Sequence, residues 1–189
     1  MSQQLIEIQR VLTAKANKNN SEFFLKMVPG RQKIYGVKTP DLNLLVQQYK
    51  TGSFDLAREL WESGALEEKI IAIKIMEKTG KSDPQKLLSL FKKFSTEVEN
   101  WAVCDGLGMQ FLRGIVKTHS KEIFAIAGEF NRSKNPWQRR LSLVMVEWYT
   151  RDGSHHTEIK KLVKNLETDD EYYVKKAVTW INRNFTKGK

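Results

Sequence analysis

Apolar positions recur at helical spacing along almost the whole chain. Leu5, Ile8, Val11 and Leu12 form a one-sided stripe over residues 2–16, the mark of an amphipathic helix. Ser21 is placed to cap a short second helix carrying Phe23, Phe24 and Met27, which Pro29-Gly30 ends. Thr39-Pro40, Asp83-Pro84 and Asn135-Pro136 each put a capping side chain before a proline, a strong start signal because proline's missing N–H is not needed in the first turn. They predict helices over 39–50, 84–94 and 136–150. Residues 54–63 and 66–79 form two more amphipathic segments parted near Gly64, and 120–130, 157–166 and 170–186 complete the set. Residues 97–118 are expected to kink or restart around Gly106 and Gly108, where helix propensity is poor. No stretch alternates with period two for long enough to make a strand.

Many short helices on short loops predict an all-α fold, a single domain over residues 1–189. An internal period sharpens this. Lys69, Asp105, Arg140 and Lys176 are spaced 36, 35 and 36 residues apart, each early in its helix and followed by apolar residues. That period is close to those of the HEAT and armadillo solenoids. The expected architecture is a right-handed curved solenoid of HEAT-like antiparallel helix pairs, with equivalent positions lining one face. Three of the four positions are cationic and the fourth is Asp105. An acid among cations weakens the grip on a polyanion, so Asp105 marks either a functional exception or a local cap or ion pair with Arg140 or Arg113.

Charge supports a polyanionic partner. Lys plus Arg number 32 against 22 acids, a net +10, with a pI near 9.6; nucleic acid is the usual partner of such a chain. Apolar residues are 40% and charged residues 29% of 189, enough for one domain with a core. No apolar run is long enough to span a bilayer, and Met1-Ser2-Gln3-Gln4-Leu5 lacks a signal peptide's basic and apolar regions; a cytoplasmic protein is expected. One cysteine, Cys104, excludes an intrachain disulfide and a cysteine-rich zinc site. His119, His155 and His156 lack metal-ligand spacing, and His155-His156 reads as a solvated loop pair. No metal, no cofactor and a monomer are expected. Trp61, Trp137 and Trp148 lie on apolar faces and are expected in the core, as is Cys104.

Trp101 and Asp105 are four residues apart, so a helix sets an indole beside a carboxylate on one face. Together with four further stretches they resemble the AlkD-like family of DNA alkylation-repair glycosylases. Tyr35-Gly36-Val37-Lys38-Thr39-Pro40-Asp41-Leu42 resembles the family's N-terminal glycine–proline turn, and Glu59-Leu60-Trp61 with the helix through Met76 is similar to its second repeat. Asn100-Trp101 to Asp105 matches its Trp-x-x-x-Asp motif. Asn135-Pro136-Trp137-Gln138-Arg139-Arg140 and the run from Tyr172 to Trp180 resemble the helices supplying an arginine and a second tryptophan.

The resemblance implies hydrolysis of the N-glycosidic bond of cationic N3- or N7-alkylated purines in double-stranded DNA, without flipping the base. It implies that Asp105 is the catalytic carboxylate, that Trp101 and Trp180 pack on the lesioned nucleotide, and that Arg140 holds a phosphate. Arg139, Lys175, Lys176, Lys69 and Lys38 are the other expected DNA-binding residues. The chemistry suits these residue types. A cationic base leaves without protonation, so one carboxylate suffices to stabilise the oxocarbenium-like sugar and orient water. Two alternatives remain at this stage: a non-catalytic DNA-binding relative, and a protein-interaction scaffold.

Overall fold

The computed structural model describes residues 1–187. Eleven α-helices dominate it: α1 Gln3–Ala14, α2 Lys18–Met27, α3 Thr39–Tyr49, α4 Phe54–Glu62, α5 Leu66–Thr79, α6 Pro84–Ser95, α7 Trp101–Gly106, α8 Ser120–Phe130, α9 Pro136–Val144, α10 His156–Asn165 and α11 Tyr172–Lys187. Among the described residues there is no strand, and no helix is long and apolar enough to cross a membrane. Side chains set most starts: Ser2, Asn17, Ser53, Asp83, Asn100 and Asn135 each accept a first-turn backbone N–H, which satisfies a donor the helix itself cannot.

Alternate helices pack in succession. α3 meets α5, α5 meets α7, α7 meets α9 and α9 meets α11, while α4 meets α6 and α8 meets α10 on the other side. The 36-residue period therefore falls on α5, α7, α9 and α11, which form one continuous layer. Between the layers lies an aromatic core. Trp61 is fully buried and stacks on Phe94 at 4.1 Å, and Phe111 lies 5.8 Å from Phe94 and 6.1 Å from Phe91.

Several local expectations are revised. Asn17, not Ser21, caps α2, because the Ser21 hydroxyl donates to the Ile34 carbonyl at 2.8 Å. Thr39 is the first residue of α3 and Lys38 occupies its N-cap without a side-chain bond. The helix expected over 136–150 ends at Val144 and resumes as a 3-10 turn, Glu147–Arg151. Trp137 and Trp148 are half-buried rather than core. The Trp148 ring lies beneath the guanidinium groups of Arg113 and Arg151, at 5.3 and 5.6 Å. His155 and His156 are packed, not solvated: His155 stacks on Phe124 at 4.9 Å, and His156 Nε2 lies 2.8 Å from the Thr150 carbonyl.

The glycine turn after α2 is seated on α5 by a buried acid. Glu67, 4% exposed, accepts the backbone N–H groups of Tyr35, Gly36 and Val37 at 3.1, 2.7 and 3.2 Å. Gly36 has φ +76° and a Cβ there would fall 2.2 Å from the Asn17 carbonyl, so only glycine fits. Glu68 accepts from the Tyr35 hydroxyl at 2.7 Å, and burial pushes that phenol's pKa above its ordinary value. Glu67→Ala leaves three enclosed donors unpaired and should lower stability by about 3 kcal/mol. Urea unfolding should show a lower midpoint with an unchanged slope.

Candidate DNA-binding and catalytic site

Asn100 starts α7 by accepting the Val103 N–H at 2.9 Å. The helix then loosens into a π-helical turn, Leu107–Phe111. Gly108 explains why the turn after α7 can lie so close to the end of α9: a Cβ there would sit 2.6 Å from Val144 Cγ1 and 2.9 Å from the Met145 nitrogen. That approach brings Asp105 against Arg140. Arg140 Nε donates to Asp105 Oδ1 at 3.0 Å and Nη2 to Oδ2 at 2.9 Å, while Nη1 donates to the Tyr173 carbonyl at 2.7 Å. The guanidinium thus clamps the acid of α7 in a fork and ties it to the first turn of α11.

The pair is asymmetric in exposure. The Asp105 side chain is 33% exposed and that of Arg140 only 10%, so a group entering from outside meets the acid first. Burial pushes the Asp105 carboxyl above its usual pKa, and the charge and hydrogen bonds of Arg140 pull against that rise. Next to it, Cys104 is a fully buried free thiol whose pKa is driven up by burial and by the Asp105 charge; it is not a nucleophile in this setting.

Two adjoining clefts open over the ion pair. One, of about 600 Å³, is lined by Asp105, Arg140 and one face of α11: Tyr172, Lys175, Lys176, Thr179, Trp180 and Arg183. The other, of about 440 Å³, is lined by Lys26, Met27, Trp101, Arg140, Tyr172, Tyr173 and Lys176. Arg140, Tyr172 and Lys176 belong to both. Trp101 and Trp180 therefore stand in different clefts on either side of the shared residues. Each ring is half-buried, and the Trp101 indole N–H donates to the Met27 carbonyl at 3.0 Å.

The residues singled out from sequence divide accordingly. Trp101, Asp105, Arg140, Lys175, Lys176 and Trp180 come together. Lys38 lines neither cleft; it sits exposed at the start of α3. Lys69 lines a separate polar cleft with Arg31, Glu97 and Glu99, its ammonium 4.8 Å from the centre of the Trp61 ring. Burial lowers its pKa, and the two glutamates oppose that. Its charge is balanced locally, away from Asp105. Arg139 is also engaged: it bonds Asp169 through Nε at 2.5 Å and Nη2 at 3.2 Å, and the Ser133 and Lys134 carbonyls through Nη1. It braces the loop before α9 rather than facing a ligand. Arg140, expected at a phosphate, has its three nitrogens committed to Asp105 and Tyr173. Tyr172, Thr179, Arg183, Lys26 and Met27 were not anticipated. The α11 trio was signalled by its three- and four-residue spacing from Lys176 and Trp180; nothing in the sequence marked Lys26 or Met27.

The class is a stack of short helices that presents cations and indoles around one clamped acid. The sequence profile of the DNA alkylation repair enzyme family matches residues 8–189, and the chain belongs to that family, which is a DNA-repair family. No curated protein matches the chain. Among solved structures, one described as a predicted DNA alkylation repair enzyme from Enterococcus faecalis is similar, with a TM-score of 0.75 at 17% identity, covering 92% of this chain and 84% of that one. The crystal structure of smu.31 from Streptococcus mutans UA159 is also similar, with a TM-score of 0.64 at 19% identity, covering 97% and 84%. At these identities the likeness is one of fold.

The ion pair carries a pH signature. With its folded pKa above the unfolded value, Asp105 keeps a proton in the native state over the window between the two. Its contribution to stability is present below the unfolded pKa and is lost as pH rises through the folded one. Arg140→Gln removes the opposing charge and moves the folded pKa further up. It should also cost about 3 kcal/mol at neutral pH, because a largely enclosed carboxylate loses its partner. A carboxyl-carbon NMR titration of Asp105 and urea unfolding at acid and neutral pH check both effects.

Proposed function

We propose that this protein is a DNA glycosylase that hydrolyses the N-glycosidic bond of cationic N3- or N7-alkylated purines in double-stranded DNA, without extruding the base. The observation that carries the proposal is Asp105: a clamped carboxylate, open on one side, in a cleft walled by Trp180 and lined by Lys175 and Lys176, next to a second cleft that Trp101 lines and that shares Arg140 with the first.

Each part suits one demand of the reaction. The alkylated purine already carries positive charge, so it departs as a neutral base and needs no acid. The costly species is the sugar cation left behind. Asp105 offers it a carboxylate whose two oxygens are fixed before the reaction begins, so little reorganisation is needed as charge develops. Each carboxylate oxygen uses one lone-pair direction on Arg140 and keeps others toward the cleft, which allows the same group to orient the attacking water. Water adds at C1′, its proton passes to Asp105 or to solvent, and the base leaves with the bond electrons. The faces of Trp101 and Trp180 add attraction to the developing cation, on the order of 1 kcal/mol each. Arg140 acts here as a positioning residue that keeps Asp105 ionised and oriented. Lys175 and Lys176 supply the phosphate contacts, which makes binding strongly salt-dependent. The partner is double-stranded DNA, and no metal or cofactor takes part.

A non-catalytic DNA-binding role is the competing outcome, since a cation already balances Asp105. Release of methylated base from N7- or N3-methylated duplex DNA decides between them. Wild-type protein should release base, with an acid limb above the ordinary carboxylate pKa because ionised Asp105 is required. Asp105→Asn should slow release by roughly a hundredfold or more while still binding duplex DNA. If neither protein releases base but both bind, the non-catalytic role stands.

A further inference from the structure

One side chain in the shared zone has no role yet. Tyr172 is 59% exposed and lines both clefts. It is not left free to swing. Tyr173 meets it nearly perpendicular at 5.0 Å, and Tyr173 in turn packs 5.0 Å from Trp137 of α9. On the other side the Lys176 ammonium lies 4.8 Å from the centre of the Tyr172 ring. The backbone is fixed as well, since the next residue's carbonyl is the one that Arg140 holds at 2.7 Å while gripping Asp105. Position and orientation of the ring are therefore set relative to the acid by the same guanidinium.

A large aromatic ring that is mostly exposed, yet braced by two neighbours, has apolar area left to cover. Aromatic faces and cations line the two clefts around it, so its fitting occupant is one that brings an apolar face and an anion together. A nucleotide does: its deoxyribose has an apolar face and its phosphate suits Lys176. We propose that Tyr172 is a DNA-contact residue whose ring packs on the deoxyribose next to the reacting nucleotide, with Lys176 on the phosphate that follows. This rests on the cleft being a DNA site, as above, and adds a residue that sets which sugar faces Asp105.

The probe is duplex DNA carrying one tetrahydrofuran abasic analogue, titrated at several salt concentrations. Tyr172→Ala should weaken binding roughly tenfold and leave the slope of log affinity against log salt unchanged, because no charge is lost. Lys176→Ala should instead lower that slope by about one charge. Tyr172→Phe should bind like wild type. Unchanged binding by Tyr172→Ala, or no measurable binding by wild type, overturns the proposal. So does a Tyr172→Ala loss that comes with a reduced slope, since the ring would then serve only to hold Lys176. Base release measured in parallel keeps the two inferences apart. A wild type that releases no base while Tyr172→Ala still loses affinity removes the glycosylase and keeps the contact; active wild type with unaffected Tyr172→Ala does the reverse.

Discussion

The fork between Arg140 and Asp105 is the contact on which the arrangement depends. It joins α7, α9 and α11 at one point, because the third guanidinium nitrogen takes the Tyr173 carbonyl. An enclosed carboxylate without such a partner would take up a proton and become neutral. With it, the acid stays charged in a place where burial opposes charge, and the direction it faces is fixed by two hydrogen bonds rather than by a rotamer. The enclosure of Arg140 and the relative openness of Asp105 give the pair a polarity: cation inward, anion toward the cleft.

That polarity resolves the electrostatic oddity of an acid in a cationic layer. Under the proposed function, a phosphate chain approaching α11 would meet Lys175 and Lys176, and Asp105 would face its sugar side. The long-range field remains attractive to DNA, with a net +10 on the chain. Under the proposed function, separating the two signs would let one surface bind a polyanion and stabilise a carbocation-like centre.

Structural acids do comparable work away from the cleft. Glu67 holds the Tyr35–Val37 turn by its backbone, and Asp169 holds Arg139, whose other nitrogen fastens the loop before α9. Burial pushes Asp169 up, but the Arg139 bonds and charge outweigh it and leave its carboxyl below the ordinary range. These contacts fix the loops between layers, so the helices that carry the site are positioned from their ends as well as through the aromatic core.

The all-α class, most helix starts and the break after Gly106 were legible in the chain, because caps, prolines and a 3.6-residue apolar period act locally. So was the grouping of Asp105, Arg140, Lys176 and Trp180 about one cleft, with Trp101 in the adjoining one, through helical spacing, a 36-residue period and a family resemblance. The Arg140–Asp105 ion pair was one of the alternatives the sequence left open, but which way each cation points was not decided there. Lys69 and Arg140 hold equivalent places in the period, yet one lies over Trp61 beside two glutamates and the other grips Asp105. Arg139 and Arg140 are neighbours, yet Asp169 takes the first and Asp105 the second. A long charged side chain has several orientations of similar intrinsic energy, and the choice falls to whichever carboxylate the tertiary packing sets within reach. Met27 joined the site for a related reason: its place in the cleft comes from α2 meeting α7 across the fold, where its carbonyl takes the Trp101 indole N–H, at a separation no local pattern encodes.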